Sequence, residues 1–173
     1  MKALVGFFKS FLYAFKGIFF CIKTCRNFRF HTVAAVFVLY FSGFYEFERS
    51  DSILLYMVIG IVLSLECINT AIEQVCNKVT TEHSDYIMHA KDAAAGAVLC
   101  SAIFAVAVAF KLFYNPARIF EIIGYFSNPI KLLLLAVCVT ISIIYIFYED
   151  IFKNEKKSIK NCFCYYMRSS QWG

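Results

Sequence analysis

Acidic residues are absent from the first 45 positions of this 173-residue chain, and only 12 occur in all of it. Two prolines and seven glycines exclude a collagen-like or Pro/Gly-rich disordered chain. Charged residues make up 17%, against a hydrophobic share of 61% and an aromatic share of 18%. So much apolar mass cannot all be buried in a soluble core of this size, which excludes most soluble enzyme folds. The eight cysteines contain no CxxC pair and do not read as a secreted disulfide framework. Most lie in apolar stretches, where a thiol behaves as a small hydrophobe. Cys162 and Cys164 in the tail could be acylated or bind metal, a weak signal from two residues. There is no glycine-rich phosphate loop, no legible Ser/His/Asp arrangement and no nucleic-acid motif, so no nucleic-acid partner is expected. His83 and His89 are six apart, a poor spacing for two metal ligands on one helical face.

What is present is a set of long apolar runs. Residues 30–45, 52–65, 93–110 and 132–148 carry no Asp, Glu, Lys or Arg, and the second continues past Glu66 to Ile72. About 20 residues span a bilayer as a helix, so all four are expected spans. The runs are continuous rather than alternating, which favours helices over a barrel. Basic residues set the orientation. Thirteen fall in the first 30 residues, in 75–92 and in the tail, against four in the remaining loops, which places both termini in the cytoplasm. Anionic headgroups are the expected partner of the basic clusters.

Residues 1–30 do not read as a signal peptide, because lysines recur throughout and no small-residue cleavage site follows. Lys2, Lys9, Lys16 and Lys23 are seven apart and form one helical stripe, with Phe8, Phe11, Phe15, Phe19 and Ile22 over much of the opposite face. The pattern predicts an amphipathic helix at the membrane surface; an ordinary solvated stripe beside a packed face is the alternative. Asn115-Pro116 and Asn128-Pro129 bracket a short segment in which Ala117–Phe126 reads as a further amphipathic helix. The expected architecture is an all-α integral membrane protein. It comprises an interfacial helix over 1–30, a core of three spans over 31–114, an external segment over 115–129, a fourth span over 130–148 and a basic Cys-containing tail over 149–173.

The informative stretch is 66–92. Glu66 ends an apolar run, and Asn69 and Glu73 follow at i+3 and i+7, on one helical face. A carboxylate at the membrane border is a functional candidate by default, the alternative being a helix end emerging into water. Lys91-Asp92 opens the third span. The lysine can bind phosphate as a point charge or serve as a positive-inside anchor. Beyond it Ala93, Ala97, Ser101, Ala105 and Ala109 recur every four residues, a small-residue stripe that allows close helix approach. Two carboxylates, an amide and a lysine where lipid meets water suit phosphoryl transfer from a soluble nucleotide to a lipid alcohol. One carboxylate can accept a hydroxyl proton, and the other can hold Mg²⁺. A channel or transporter would need polar residues along a span, and the mid-span positions are mostly apolar.

At these residues the sequence resembles the small prokaryotic diacylglycerol kinase/undecaprenol kinase family of membrane lipid kinases. Residues 66–79, ECINTAIEQVCNKV, resemble its E-x-x-N-[ST]-A-I-E-x-x-V-D signature, and residues 89–99, HAKDAAAGAVL, its A-K-D-x-x-[AS]-[AG]-A-V-L signature. KSFLYAFKGI and RNFRFH resemble its two N-terminal segments, and the whole resemblance covers roughly residues 6–112. It implies a homotrimeric helical bundle with active sites between subunits, ATP and Mg²⁺, and a lipid alcohol substrate, with undecaprenol favoured over diacylglycerol. It implies that Glu66 accepts the proton, Glu73 binds the metal, Asn69 and Lys91 lie near the phosphates, and Asp92, Tyr13 and Glu82 contact the nucleotide. Two positions depart from the family pattern. Its E-R-N-[FM]-R glutamate, a second metal ligand, is Cys25 here, and its signature aspartate is Asn77. Thiolate is a poor Mg²⁺ ligand, so a catalytically weakened relative that still binds nucleotide or lipid is the alternative.

Overall fold

A computed structural model describes residues 2–79 and 84–148, with side chains from residue 5 onward. Every element among them is a helix: α1 Lys2–Thr24, α2 Arg26–Ser42, α3 Arg49–Val79, α4 Asp85–Phe113, α5 Pro116–Phe126 and α6 Pro129–Tyr148. Four are long and apolar enough to cross a membrane: α1 from Val5, α3, α4 and α6.

The expected count of four is met, but the membership differs. The N-terminal helix does not run to residue 30. It stops at Thr24 because Cys25 takes an extended conformation, with φ −106° and ψ 112°, and its sulfur accepts the Phe28 N–H at 3.4 Å as the N-cap of a new helix. The apolar run 30–45 therefore lies mostly in α2, which has 17 residues before Gly43 ends it. At 1.5 Å per residue α2 is about 25 Å long, short of a ~30 Å hydrocarbon core.

Helix α3 has 31 residues, about 46 Å. Only its first half is charge-free after Asp51, so its polar half extends beyond what an apolar slab needs. It pairs antiparallel with the 29-residue α4: Asn77 near the end of α3 meets Lys91 near the start of α4. At the other end Leu55, Ile59, Ala105 and Ala109 line one cleft with His31 and Ala34 of α2. Helix α1 lays Ala14, Gly17, Ile18 and Cys21 beside Cys67, Thr70 and Ala71 of α3.

The two Asn-Pro steps are helix starts as well as loop boundaries. Asn115 caps α5 by accepting the Arg118 N–H at 3.3 Å, and Pro116 begins the helix, where its missing N–H has no intrahelical role. Asn128 Oδ1 accepts the Ile130 N–H at 2.9 Å ahead of α6. Around α5, Phe44, Tyr125 and Phe126 pack ring against ring with Phe41, while Tyr45, Phe47 and Phe113 form a second aromatic knot. Tyr45 Oη donates to the Phe113 carbonyl at 3.0 Å there.

Candidate active site at the elbow of α1 and α2

Among the described residues few side chains are buried, and the buried polar ones are Arg29, Glu66, Asn69 and Thr70. In a chain whose apolar residues mostly face outward, these are the groups that the protein itself has desolvated. Such groups require partners, since an unpaired buried polar atom is costly.

Glu66 is 1% exposed. Helix α3 carries it past the α1–α2 elbow, where the Cys25 thiol donates to Oε2 at 3.8 Å. His31, one turn into α2, places Nε2 at 3.3 Å from Oε1. That distance is ion-pair range, yet Oε1 has no aligned hydrogen bond. A protonated imidazole there would support the carboxylate electrostatically, and the oxygen keeps an open acceptor position. The Glu66 backbone carbonyl is additionally occupied by the Thr70 hydroxyl at 2.9 Å.

One turn further along the same face, Asn69 Nδ2 donates to Glu73 Oε1 at 3.3 Å, while Asn69 Oδ1 is buried with no partner. Glu73 is exposed, and another turn brings Asn77, also exposed, whose Oδ1 accepts from Lys91 Nζ at 2.7 Å. The face thus grades over three turns from a desolvated carboxylate, through an amide, to an exposed carboxylate and a lysine–amide pair. Such an order can hold a lipid-borne group at one end and a water-borne anion at the other.

The structure thereby brings together Glu66 with Cys25, Asn69 with Glu73, and Lys91 with Asn77. Asp92 is exposed beside Lys91. Tyr13 is not drawn into the cluster: it is 66% exposed on α1, with Lys16 Nζ 5.6 Å from its ring centre. Glu82 lies outside the described residues, as do Cys162 and Cys164 of the tail.

Two residues of the site escaped the sequence reading. His31 carries a signal that could have found it: it is a titratable side chain within an otherwise uncharged run of an apolar chain. Arg29 is buried and donates from Nη1 to the Ile22 and Lys23 carbonyls at 3.2 and 3.0 Å, and from Nε to the Ile146 carbonyl at 3.1 Å. Nothing in its local sequence distinguishes it from the neighbouring basic anchors.

Among the described residues no group of three or more His, Cys, Asp and Glu is arranged to hold a metal by itself. Mg²⁺ ordinarily takes one or two carboxylates together with substrate phosphates and water. Glu73, an exposed carboxylate fixed at one oxygen by Asn69, fits that requirement. Cys25, soft and turned onto Glu66, does not.

Residues 12–113 match the family described as prokaryotic diacylglycerol kinase, an interval that ends where α4 ends and leaves out α5 and α6. Over 107 residues the chain is 39% identical to the undecaprenol kinase of Bacillus subtilis (strain 168), covering 62% of this chain and 87% of that protein. Over 100 residues it is 39% identical to the diacylglycerol kinase of Synechocystis sp. (strain ATCC 27184 / PCC 6803 / Kazusa), covering 57% of each. No solved structure matches the chain.

Proposed function

Because the chain belongs to the prokaryotic diacylglycerol kinase family, we propose that it is an ATP-dependent membrane lipid kinase acting on undecaprenol in preference to diacylglycerol. The carrying observation is Glu66, a carboxylate buried at the border of an apolar helix with one oxygen left open. A lipid hydroxyl placed there gives its proton to Oε1 as its oxygen attacks the γ-phosphorus. The new oxygen–phosphorus bond forms while the bond to the β-phosphate oxygen breaks, and ADP leaves. His31 stabilises the carboxylate before transfer, and Cys25 fixes its other oxygen. Asn69 and Lys91 orient the phosphates, and Glu73 is the residue that would hold Mg²⁺, which neutralises phosphate charge when bound. Asp92, Tyr13 and Glu82 are assigned to the nucleotide on the strength of the family resemblance.

The undecaprenol preference is supported by the reach of the match, which runs along nearly all of the Bacillus subtilis undecaprenol kinase but little more than half of the Synechocystis enzyme. The proposed setting is the cytoplasmic membrane with both termini inside, as the basic residues favour. In it α1 lies along the surface on its lysine stripe, the shorter α2 crosses together with α3, α4 and α6, an even number of crossings, and the assembly is a homotrimer. The trimer is supported by α4, where Phe104, Val106 and Phe110 stay about 70% exposed in the single chain and small residues leave room for a neighbouring helix.

The deciding experiment measures transfer of radiolabelled γ-phosphate from Mg-ATP in proteoliposomes offering undecaprenol and diacylglycerol in parallel, with Glu66→Ala as control. Transfer to undecaprenol, lost in the variant, is the expected result. Folded, ATP-binding protein that phosphorylates neither lipid would overturn the reading. It would favour the second one, a catalytically weakened relative, for which the specific observation is a thiol at 3.8 Å from Glu66 where the family carries a carboxylate.

A further inference from the structure

Helix α6 lies outside the interval shared with the family, yet it touches the site through one buried group. Arg29 is 3% exposed, and among the described residues no carboxylate pairs with its guanidinium. A charge removed from water in this way must be compensated by dipoles. Its Nη1 takes two carbonyls, Ile22 and Lys23, from the last turn of α1, where helix carbonyls lack intrahelical donors and carry partial negative charge. Its Nε takes the third, Ile146 of α6, whose own side chain is buried. Next to it the Arg26 guanidinium lies 5.9 Å from the Phe147 ring centre. Arg29 therefore ties together the end of α1, the first turns of α2 and α6. The segment it fixes is the elbow, and the elbow carries both side chains that face Glu66. Cys25 is its apex, four residues before Arg29, and His31 follows two residues after it.

We propose that α6 is a part of the catalytic apparatus: by accepting the Arg29 Nε–H it braces the α1–α2 elbow and so sets Cys25 and His31 against Glu66. Arg29 and Ile146 are positioning residues in this arrangement, since neither touches a reacting atom. The proposal rests on the reading of Glu66 as proton acceptor. Small displacements of a positioned group are enough to slow chemistry without altering nucleotide binding.

The test uses the full chain with Arg29→Gln, which removes the donor, and with Ile146→Arg and Ile146→Ala, which keep the accepting backbone carbonyl but disturb the buried packing that holds it in place, the first with an added charge. Three quantities are read: kcat for lipid phosphorylation, KM for ATP, and the rate of maleimide labelling at Cys25 followed by peptide mass spectrometry. The expected result is a kcat lower by about 10-fold in Ile146→Arg and by less in Ile146→Ala, with KM for ATP within about twofold and faster labelling of Cys25 in both. Arg29→Gln should behave like Ile146→Arg, and the Arg29→Gln/Ile146→Ala pair should be no slower than Arg29→Gln alone, because once the donor is gone the placement of the Ile146 carbonyl no longer matters. Arg29→Lys, which keeps the charge and some donors, should recover part of the loss. If Ile146→Arg does not fold, Arg29→Gln and its pair with Ile146→Ala decide by the same readings. Unchanged kcat and labelling in Arg29→Gln, or losses that simply multiply when Ile146→Ala is added to it, would overturn the brace. A wild-type chain that transfers no phosphate would remove the kinase reading, and the labelling rates would still judge the brace.

Discussion

The two ends of the helical bundle are held together by different physics. At the elbow of α1 and α2, contacts are polar and desolvated: a thiol hydrogen-bonded to Glu66 with an imidazole beside it, and a guanidinium on three carbonyls. At the other end, where α2, α4 and α5 meet, aromatic rings pack edge to face at centroid distances such as 4.9 and 5.1 Å, and the ion pairs are exposed. Edge-to-face packing tolerates small shifts, and each pair adds about 0.5–1.5 kcal/mol beyond area burial. A buried polar contact tolerates none, because losing one partner strands the other in an apolar surround. Substitution effects should therefore separate by end, on activity at the elbow and on stability, weakly, at the aromatic knots.

The sharpest break is Glu66→Gln. It keeps the shape of the side chain but removes the proton acceptor, and phosphate transfer should fall by about 10²–10⁴-fold while the helical content of the membrane-inserted protein is unchanged. Circular dichroism beside the transfer assay separates the two. Next comes Cys25→Glu. A carboxylate so near Glu66 is repelled unless a cation lies between them, so its effect should depend on Mg²⁺. If the site is adapted to the thiol, the Mg²⁺ concentration for half-maximal rate falls and kcat at saturation stays within about threefold. A gain in kcat of tenfold or more on the variant would instead mark the native site as weakened, and would move the conclusion to the second reading.

The legible part of this protein follows from periodicity and hydropathy. The runs 52–72, 93–110 and 132–148 lie within α3, α4 and α6, and the segment 117–126 within α5, because long, mostly apolar stretches bounded by charge or Asn-Pro admit few other outcomes. Glu66, Asn69 and Glu73 share a face for the same reason, since spacing along one helix is written in the sequence. The elbow was not legible. Helix starts are recognised by Ser, Thr, Asp or Asn, and a cysteine with its sulfur on a backbone N–H does not look like one. Nor does any intrahelical spacing connect His31 with Glu66, or Arg29 with Ile146 more than a hundred residues away. Those pairings arise from how helices lie against each other. The family resemblance pointed to Cys25 as a loss of a ligand, while the geometry shows the thiol engaged with the carboxylate.

Smaller effects belong to the opposite end. Tyr45→Phe removes the hydrogen bond to the Phe113 carbonyl and leaves the ring stack in place, so stability should drop by about 1 kcal/mol with transfer activity unaltered. A denaturation series in a single detergent, run beside the lipid assay, reads both.

The smallest effect should come from Arg118→Ala. Arg118 donates to Glu121 within α5 and pairs with Glu46 of the segment between α2 and α3, each at 2.8 Å. Hydrogen bonds to those two carboxylates, Glu121 foremost, push its already high pKa further up, so it stays charged at every working pH. The raised pKa carries no stability that is lost in the physiological range, because the loss would come only above the folded-state value. Glu46 and Glu121 are solvent-exposed, and exposed pairs of this kind are screened by salt and held at the expense of side-chain entropy. The expected outcome is an unchanged Tm and unchanged transfer to lipid at moderate salt. A clear fall in Tm that vanishes on raising the salt would mean that α5 is fastened to the bundle by charge as well as by its rings, and would narrow the contrast between the two ends.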